Sequence, residues 1–159
     1  MTSQEHVMIT GGAGYIGSVL SRHLLNCGYR VTVIDNFMYR QNSLLDCCSD
    51  DRFSVIRGDC RDERLMTDVI RDADILIPLA ALVGAPLCNR DRIGAYSTNL
   101  EAVHMLCKLS SPTQRIIFPV TNSGYGIGQP GIPCTEESPL RPISLYGETK
   151  VKAERVVLD

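Results

Sequence analysis

Apolar residues run unbroken through Val7-Met8-Ile9 and end at a glycine cluster, Thr10-Gly11-Gly12-Ala13-Gly14-Tyr15-Ile16-Gly17. Directly after the cluster, Ile16, Val19, Leu20 and Leu24, with Cys27, recur at the spacing of one helix face. This pattern predicts strand, tight turn and helix. A second run, Arg30-Val31-Thr32-Val33-Ile34, closes on Asp35, and a third, Phe53-Ser54-Val55-Ile56-Arg57, on Gly58-Asp59-Cys60. The fourth, Ile75-Leu76-Ile77-Pro78-Leu79, leads into Ala80-Ala81. The fifth, Arg115-Ile116-Ile117-Phe118-Pro119-Val120, leads into Thr121-Asn122-Ser123-Gly124-Tyr125-Gly126. Helical patterns lie between them: a short one over residues 42–48, one over about 61–71, and a longer one carrying Ile93, Tyr96, Leu100, Val103 and Cys107 as one buried stripe. Asn99 falls beside that stripe, and a solvent-facing place is its simplest reading. The alternation predicts an α/β fold, a doubly wound parallel sheet with helices on both faces joined by right-handed crossovers.

Residues 126–144 break the rhythm. The stretch is rich in Gly and Pro (Gly128, Pro130, Gly131, Pro133, Pro139, Pro142), and a loop this long inside a compact domain is more often functional than idle. Ser144 can then cap a last helix over about residues 145–158, at whose start lie Tyr146 and Lys150.

The glycine cluster carries the first chemical expectation. Gly11 lets the chain turn sharply, Gly14 removes a Cβ that would hold a ligand away, and Gly17 lets the helix pack close on the strand. Unpaired N–H groups of the helix's first turn then suit a pyrophosphate. Asp35, about 20 positions on at the tip of the second strand, is where a dinucleotide fold holds the adenosine ribose. Its carboxylate would repel a 2′-phosphate and so favours NAD over NADP, while Arg40 works the other way. At the third strand's tip, Asp59 and Cys60 fall near where adenine would lie, and Asp59 can equally cap the next helix. The small residues at Ala80 and Ala81 allow close approach of a flat ligand or serve packing.

Composition narrows the picture further. At 159 residues, 44% hydrophobic and 21% charged, the chain suits a single globular domain. A net charge of −2 supplies no basic footprint for nucleic acid. No apolar run reaches the roughly 20 residues of a membrane helix, and Met1-Thr2-Ser3-Gln4-Glu5 does not read as a signal peptide, so a cytoplasmic protein is expected. Seven scattered cysteines (Cys27, Cys47, Cys48, Cys60, Cys88, Cys107, Cys134) form no ligand spacing, so no metal site is expected, and most read as reduced apolar fillers. His6, His23 and His104 are isolated and read as surface or half-buried helix residues.

Tyr146 and Lys150, four apart on a helix, project from one face. A phenol with a pKa of about 10 must fall by roughly three units, about 4 kcal/mol, to act as a base near neutrality. A neighbouring ammonium and an oxidised nicotinamide supply charge of the right sign. Thr121 adds a hydroxyl able to bridge to a substrate oxygen.

Together these pieces resemble the extended short-chain dehydrogenase/reductase superfamily, in its nucleotide-sugar epimerase/dehydratase branch. The likeness rests on Thr10 through Gly17, Asp35-Asn36-Phe37, Gly58-Asp59-Cys60-Arg61-Asp62, Leu79-Ala80-Ala81, Asn99, Thr121 through Gly126, and Tyr146-Gly147-Glu148-Thr149-Lys150, in family order. It implies a Rossmann fold in which Tyr146 is the catalytic base, Lys150 its pKa-lowering and ribose-binding partner, and Thr121 the holder of the sugar hydroxyl. It further implies cofactor contacts from Gly11, Gly14, Tyr15, Ile16, Gly17, Asp35, Asn36, Asp59, Cys60, Leu79, Ala80, Ala81 and Asn99, with Tyr146 and Lys150. The implied activity is NAD-dependent epimerisation of a nucleotide sugar through a transient ketone. Dehydratases of the branch carry Asp-Glu after the catalytic Thr, where this chain has Asn122-Ser123, so dehydration is disfavoured; decarboxylation, reduction and a non-catalytic NAD-binding module are the alternatives. Pro78 and Gly124 also depart from the branch's usual His and Val. Family members continue past the Tyr-x-x-x-Lys helix, so residues 1–159 are expected to be the NAD(P)-binding domain alone, with the substrate-binding region absent, catalysis by the piece weak, and the full-length protein a homodimer.

Overall fold

The computed structural model describes residues 4–128 and 131–159. Met1, Thr2 and Ser3 of the leading segment, and Pro130 of the Gly/Pro-rich stretch, lie outside the described residues. The chain divides into two compact units: the chain up to Ala80 together with Met105–Phe118, and Ala81–His104 together with Pro119–Asp159.

The first unit holds the sheet. Strands β1 (His6–Thr10), β2 (Arg30–Asp35), β3 (Phe53–Arg57), β4 (Ile75–Pro78) and β5 (Arg115–Ile116) lie in the order β3-β2-β1-β4-β5. Every neighbouring pair is parallel. Alternation along the strands builds two cores. Val7, Ile9, Val31, Val33, Ile75 and Ile77 bury one face, with Leu20, Leu24 and Leu25 of helix α1 (Tyr15–Asn26) packed on it. Met8, Ile34 and Leu76 bury the other, under Met66 and Ile70 of helix α2 (Glu63–Ile70) and Leu106 of helix α5 (Ala102–Leu109). The doubly wound α/β arrangement expected from the alternation is therefore present, with helices on both faces of one parallel sheet.

Several local expectations are corrected. Ile16 and Val19 stand exposed on α1, whose buried positions are Gly17, Ser21 and Leu25; the helix turns its smallest residues inward because it sits so close to the glycine turn. Strand β5 stops at Ile116 rather than Val120, with Ile117 adding one further bond to the Leu76 carbonyl at 2.9 Å. Residues 42–48 contain only a 3₁₀ turn, Leu45–Cys47. Helix α2 is capped by Asp62, whose carboxylate accepts from the N–H groups of Arg64 and Leu65, so Asp59 is not the cap. His6 is a buried strand residue, with Nδ1 2.6 Å from the Asp72 carbonyl and Nε2 2.8 Å from the Thr32 hydroxyl. Of the cysteines only Cys47 and Cys88 are fully buried, while Cys27, Cys48 and Cys134 are exposed.

The second unit is mostly helical: α3 (Ala85–Arg90), α4 (Arg92–Tyr96), a π-helical turn (Ser97–Glu101), a 3₁₀ turn (Asn122–Tyr125) and α6 (Leu145–Leu158). Its apolar cluster is Leu82, Cys88, Ala95 and Leu145, flanked by Leu87, Tyr96 and Tyr146. Among the described residues no helix is long and apolar enough to cross a membrane.

Candidate active site

In the first unit the glycine turn is built from contacts that exclude side chains. Gly11 has φ +70°, and a Cβ there would stand 2.6 Å from the Ala80 backbone; one at Gly17 would stand 2.5 Å from the Gly12 Cα. Gly17 thus serves the approach of α1 to the turn itself, not to a strand. Gly14 caps α1 without a side-chain hydrogen bond, so no side chain competes for the N–H groups of the helix's first turn. Tyr15 and Ile16 are exposed at that end. An uncapped 12-residue helix behind a turn of glycines and one alanine could hold a pyrophosphate.

Asp35 ends β2 beside this turn. One carboxylate oxygen accepts from the Ala13 N–H at 3.0 Å and the other from the Phe37 N–H at 2.7 Å. A carboxylate offers about four lone-pair sites, so acceptor capacity is left for ribose hydroxyls. Asn36 is exposed and its side-chain oxygen accepts from the Met38 N–H at 3.0 Å. Asp59 is held by Arg61 at 2.6 Å, and that hydrogen-bonded guanidinium keeps its carboxyl below the usual range. Burial pushes the Cys60 thiol up to about 11. Leu79 and Ala80 are half-buried, and the Ala80 N–H donates to the Thr10 hydroxyl oxygen at 3.4 Å. Ala81, also half-buried, opens the second unit.

In the second unit the structure brings Thr121 and Tyr146 together. Thr121 caps the 3₁₀ turn, accepting from the Ser123 N–H at 3.2 Å, and its side chain stands near enough to the Tyr146 phenol to draw the phenol's pKa down. Ser144 caps α6 by accepting from the Gly147 N–H at 3.1 Å, which fixes the turn that carries Tyr146. Lys150, one turn further, is only 7% exposed, and burial lowers its pKa to about 8 against an opposing pull from Glu154. The phenol moves opposite to the sequence expectation. Burial raises Tyr146 above its ordinary value, the Thr121 side chain draws it back, and the nearby Cys88 thiol adds to the rise.

Asn99 is corrected as well. It is 1% exposed, not solvent-facing. Its Oδ1 accepts from the Leu82 N–H at 2.8 Å and its Nδ2 donates to the Leu82 carbonyl at 3.0 Å, so the carboxamide pairs with that residue as a neighbouring strand would. The π-helical turn explains the miss. An extra residue in the turn rotates the register, which carries Asn99 inward and leaves Ile93 83% exposed at the head of the supposed stripe. Spent on Leu82, the amide holds protein backbone and so has a positioning place beside the candidate catalytic groups. Two buried residues with no site role in the sequence reading also contact it: Cys88, read there with the apolar fillers, and Thr149. The sequence signal was present in Thr149, a β-branched hydroxyl inside a helix one residue before Lys150.

The NAD dependent epimerase/dehydratase family matches residues 7–159. A UDP-glucose 4-epimerase of Halalkalibacterium halodurans is 36% identical over 157 residues, covering 94% of this chain and 44% of that protein. A UDP-N-acetyl-alpha-D-glucosaminuronate decarboxylase of Bacillus cytotoxicus is 29% identical over 147 residues, covering 92% of this chain and 44% of that protein. Among solved structures, the UDP-glucose 4-epimerase of Brucella ovis in complex with NAD aligns with a TM-score of 0.86 at 26% identity, over 98% of this chain and 47% of that one. The chain thus spans about half the length of these relatives.

Proposed function

The chain belongs to the NAD-dependent epimerase/dehydratase family, and on that premise we propose that it is the cofactor-binding part of an NAD-dependent nucleotide-sugar epimerase. The observation that carries the reading is the Thr121 side chain beside the Tyr146 phenol, with a buried lysine one turn further along the same helix. Within the first unit, the glycine turn, the uncapped N-terminus of α1 and Asp35 fit a dinucleotide's pyrophosphate and ribose, with Tyr15, Ile16, Asn36, Asp59, Cys60, Leu79 and Ala80 as its further proposed contacts. When bound, NAD supplies a reversible acceptor for two electrons and, in its oxidised form, a positive charge.

The remaining steps belong to the protein. Thr121 holds the reacting sugar hydroxyl against Tyr146, whose oxygen accepts that proton as the carbon is oxidised to a ketone and returns it when the ketone is reduced from the opposite face. Lys150, with a pKa of about 8, is mostly protonated at neutral pH, and its ammonium favours the phenolate. Because burial raises the phenol, Tyr146 holds its proton at rest and takes up its role as a base only when positive charge stands beside it. Asn122 and Ser123, following Thr121, exchange no proton near neutrality, which argues against a dehydratase. Decarboxylation stands second, on the likeness to the Bacillus cytotoxicus enzyme. A homodimer of the full-length protein belongs to the same proposal.

The test is Tyr146→Phe in the full-length protein with a panel of nucleotide sugars. Turnover is expected to fall about 10²–10⁴-fold with NAD affinity kept. Unchanged turnover would overturn the assignment.

A further inference from the structure

Three side chains that this chemistry leaves unused are buried together in the second unit: Cys88 and Thr149, each 0% exposed, and Asn99. Their polar atoms form one connected path. The Cys88 thiol donates to the Leu82 carbonyl at 3.1 Å and accepts from the Asn99 amide at 3.8 Å. The same amide reaches Thr149 Oγ1 at 3.4 Å. Thr149 in turn directs its hydroxyl back along its own helix, 2.9 Å from the Leu145 carbonyl and 3.0 Å from that of Tyr146. The Asn99 amide has two hydrogens and three acceptors around it, so each acceptor biases where it settles. Leu82, Cys88 and Leu145 share one apolar cluster with Tyr146 packed against it, so a shift in any of them is felt at the phenol.

We propose that Cys88 and Thr149 are positioning residues for Tyr146: thiol and hydroxyl hold the Asn99 carboxamide from two sides and so fix the first turn of α6 and the depth at which the phenol lies. The inference rests on the reading of Tyr146 as the proton acceptor. A thiol suits its place because it fills an apolar site as a small hydrophobe while still donating weakly. A threonine hydroxyl bonded back to its own helix cannot swing away, so it offers the amide a fixed acceptor. Loss of either holder lets the turn relax and water reach the phenol. Burial is the largest influence holding that phenol up, so its ionisation midpoint then moves down.

The experiment labels the protein with 3-fluorotyrosine and follows the six tyrosine resonances by fluorine NMR across pH, with Tyr146 identified by its loss in Tyr146→Phe. Cys88→Ala and Thr149→Val are each expected to move the Tyr146 resonance and lower its midpoint by about half a pH unit or more. Thr149→Ser, which keeps the hydroxyl, and Cys107→Ala, a half-buried thiol of the first unit, are expected to match the parent. An unchanged Tyr146 resonance and midpoint in either folded variant overturns the proposal for that residue. If Cys88→Ala does not fold, Cys88→Ser decides in its place, its shorter hydroxyl being expected to shift the resonance in the same direction. The measurement needs no turnover, so it separates failure of this inference from failure of the epimerase reading, which Tyr146→Phe tests on its own.

Discussion

Replacing Asn99 by leucine keeps the branched shape, with two bulkier methyls, and removes the carboxamide. The Leu82 N–H then loses an acceptor at 2.8 Å inside the protein, whereas the Leu82 carbonyl keeps the Cys88 thiol at 3.1 Å. One orphaned buried N–H costs about 1–3 kcal/mol, and the lost bonds to the carbonyl and to Thr149 add about 1 kcal/mol. The expected loss is therefore roughly 2–4 kcal/mol, a fall in Tm of about 4–16 °C for a chain of this size. Asn99→Asp tests the orientation itself. An ionised carboxylate can accept from the Leu82 N–H but presents no hydrogen to the Leu82 carbonyl, while the protonated acid restores that donor. The acid's pKa in the folded chain is thus raised above the unfolded value of about 3.9. Its stabilising contribution is full below that value and is lost as pH rises through the folded pKa. Thermal and urea unfolding of both variants at about pH 7 and about pH 4.5 reads the difference, with Asn99→Asp approaching the parent only in acid. A leucine variant within about 0.5 kcal/mol of the parent, or an aspartate variant indifferent to pH, would refute the reasoning.

Three further outcomes follow from other parts of the chain. Gly17→Ala places a Cβ 2.5 Å from the Gly12 Cα, so it is expected to lower stability by about 1–3 kcal/mol and to weaken NAD binding, read by thermal unfolding and cofactor titration. Burial lowers the pKa of His6, against the pull of the Asp72 backbone, with Arg30 lowering and the Asp74 and Asp72 carboxylates raising it. Its folded pKa lies below the unfolded value of about 6.5, so stability is full above that value and declines as pH falls through it; urea midpoints should show this slope in the parent and lose it in His6→Asn. Lys150, lowered from 10.5 to about 8, costs the fold roughly 3 kcal/mol at neutral pH by the same linkage, so Lys150→Met should raise the unfolding midpoint while ending the proposed turnover.

The parallel core was legible because β1, β2 and β4 are apolar on both faces, and a run such as Val7-Met8-Ile9 can sit only between two layers. The glycine turn was legible for a related reason: few other residues satisfy a backbone with φ +70° at Gly11 and no room for a Cβ. What escaped were features set by irregular geometry. A strict 3.6-residue period cannot foresee the π-helical turn that carries Asn99 inward. From the sequence Asp59 reads as the cap of the second helix, and only the backbone decides for Asp62. The rise at the Tyr146 phenol comes from burial, which the one-face spacing of Tyr146 and Lys150 does not report.

Asp35 carries a consequence for how such a protein can change its preferred nucleotide. The carboxylate that would exclude an extra phosphate also clasps the Ala13 and Phe37 amides, so it is mortar for the anion seat as well as a gatekeeper. Exchanging it outright would loosen the seat in the act of widening the gate. A lineage moving toward the phosphorylated dinucleotide would therefore begin at exposed neighbours such as Asn36 and Arg40 and leave Asp35 in place.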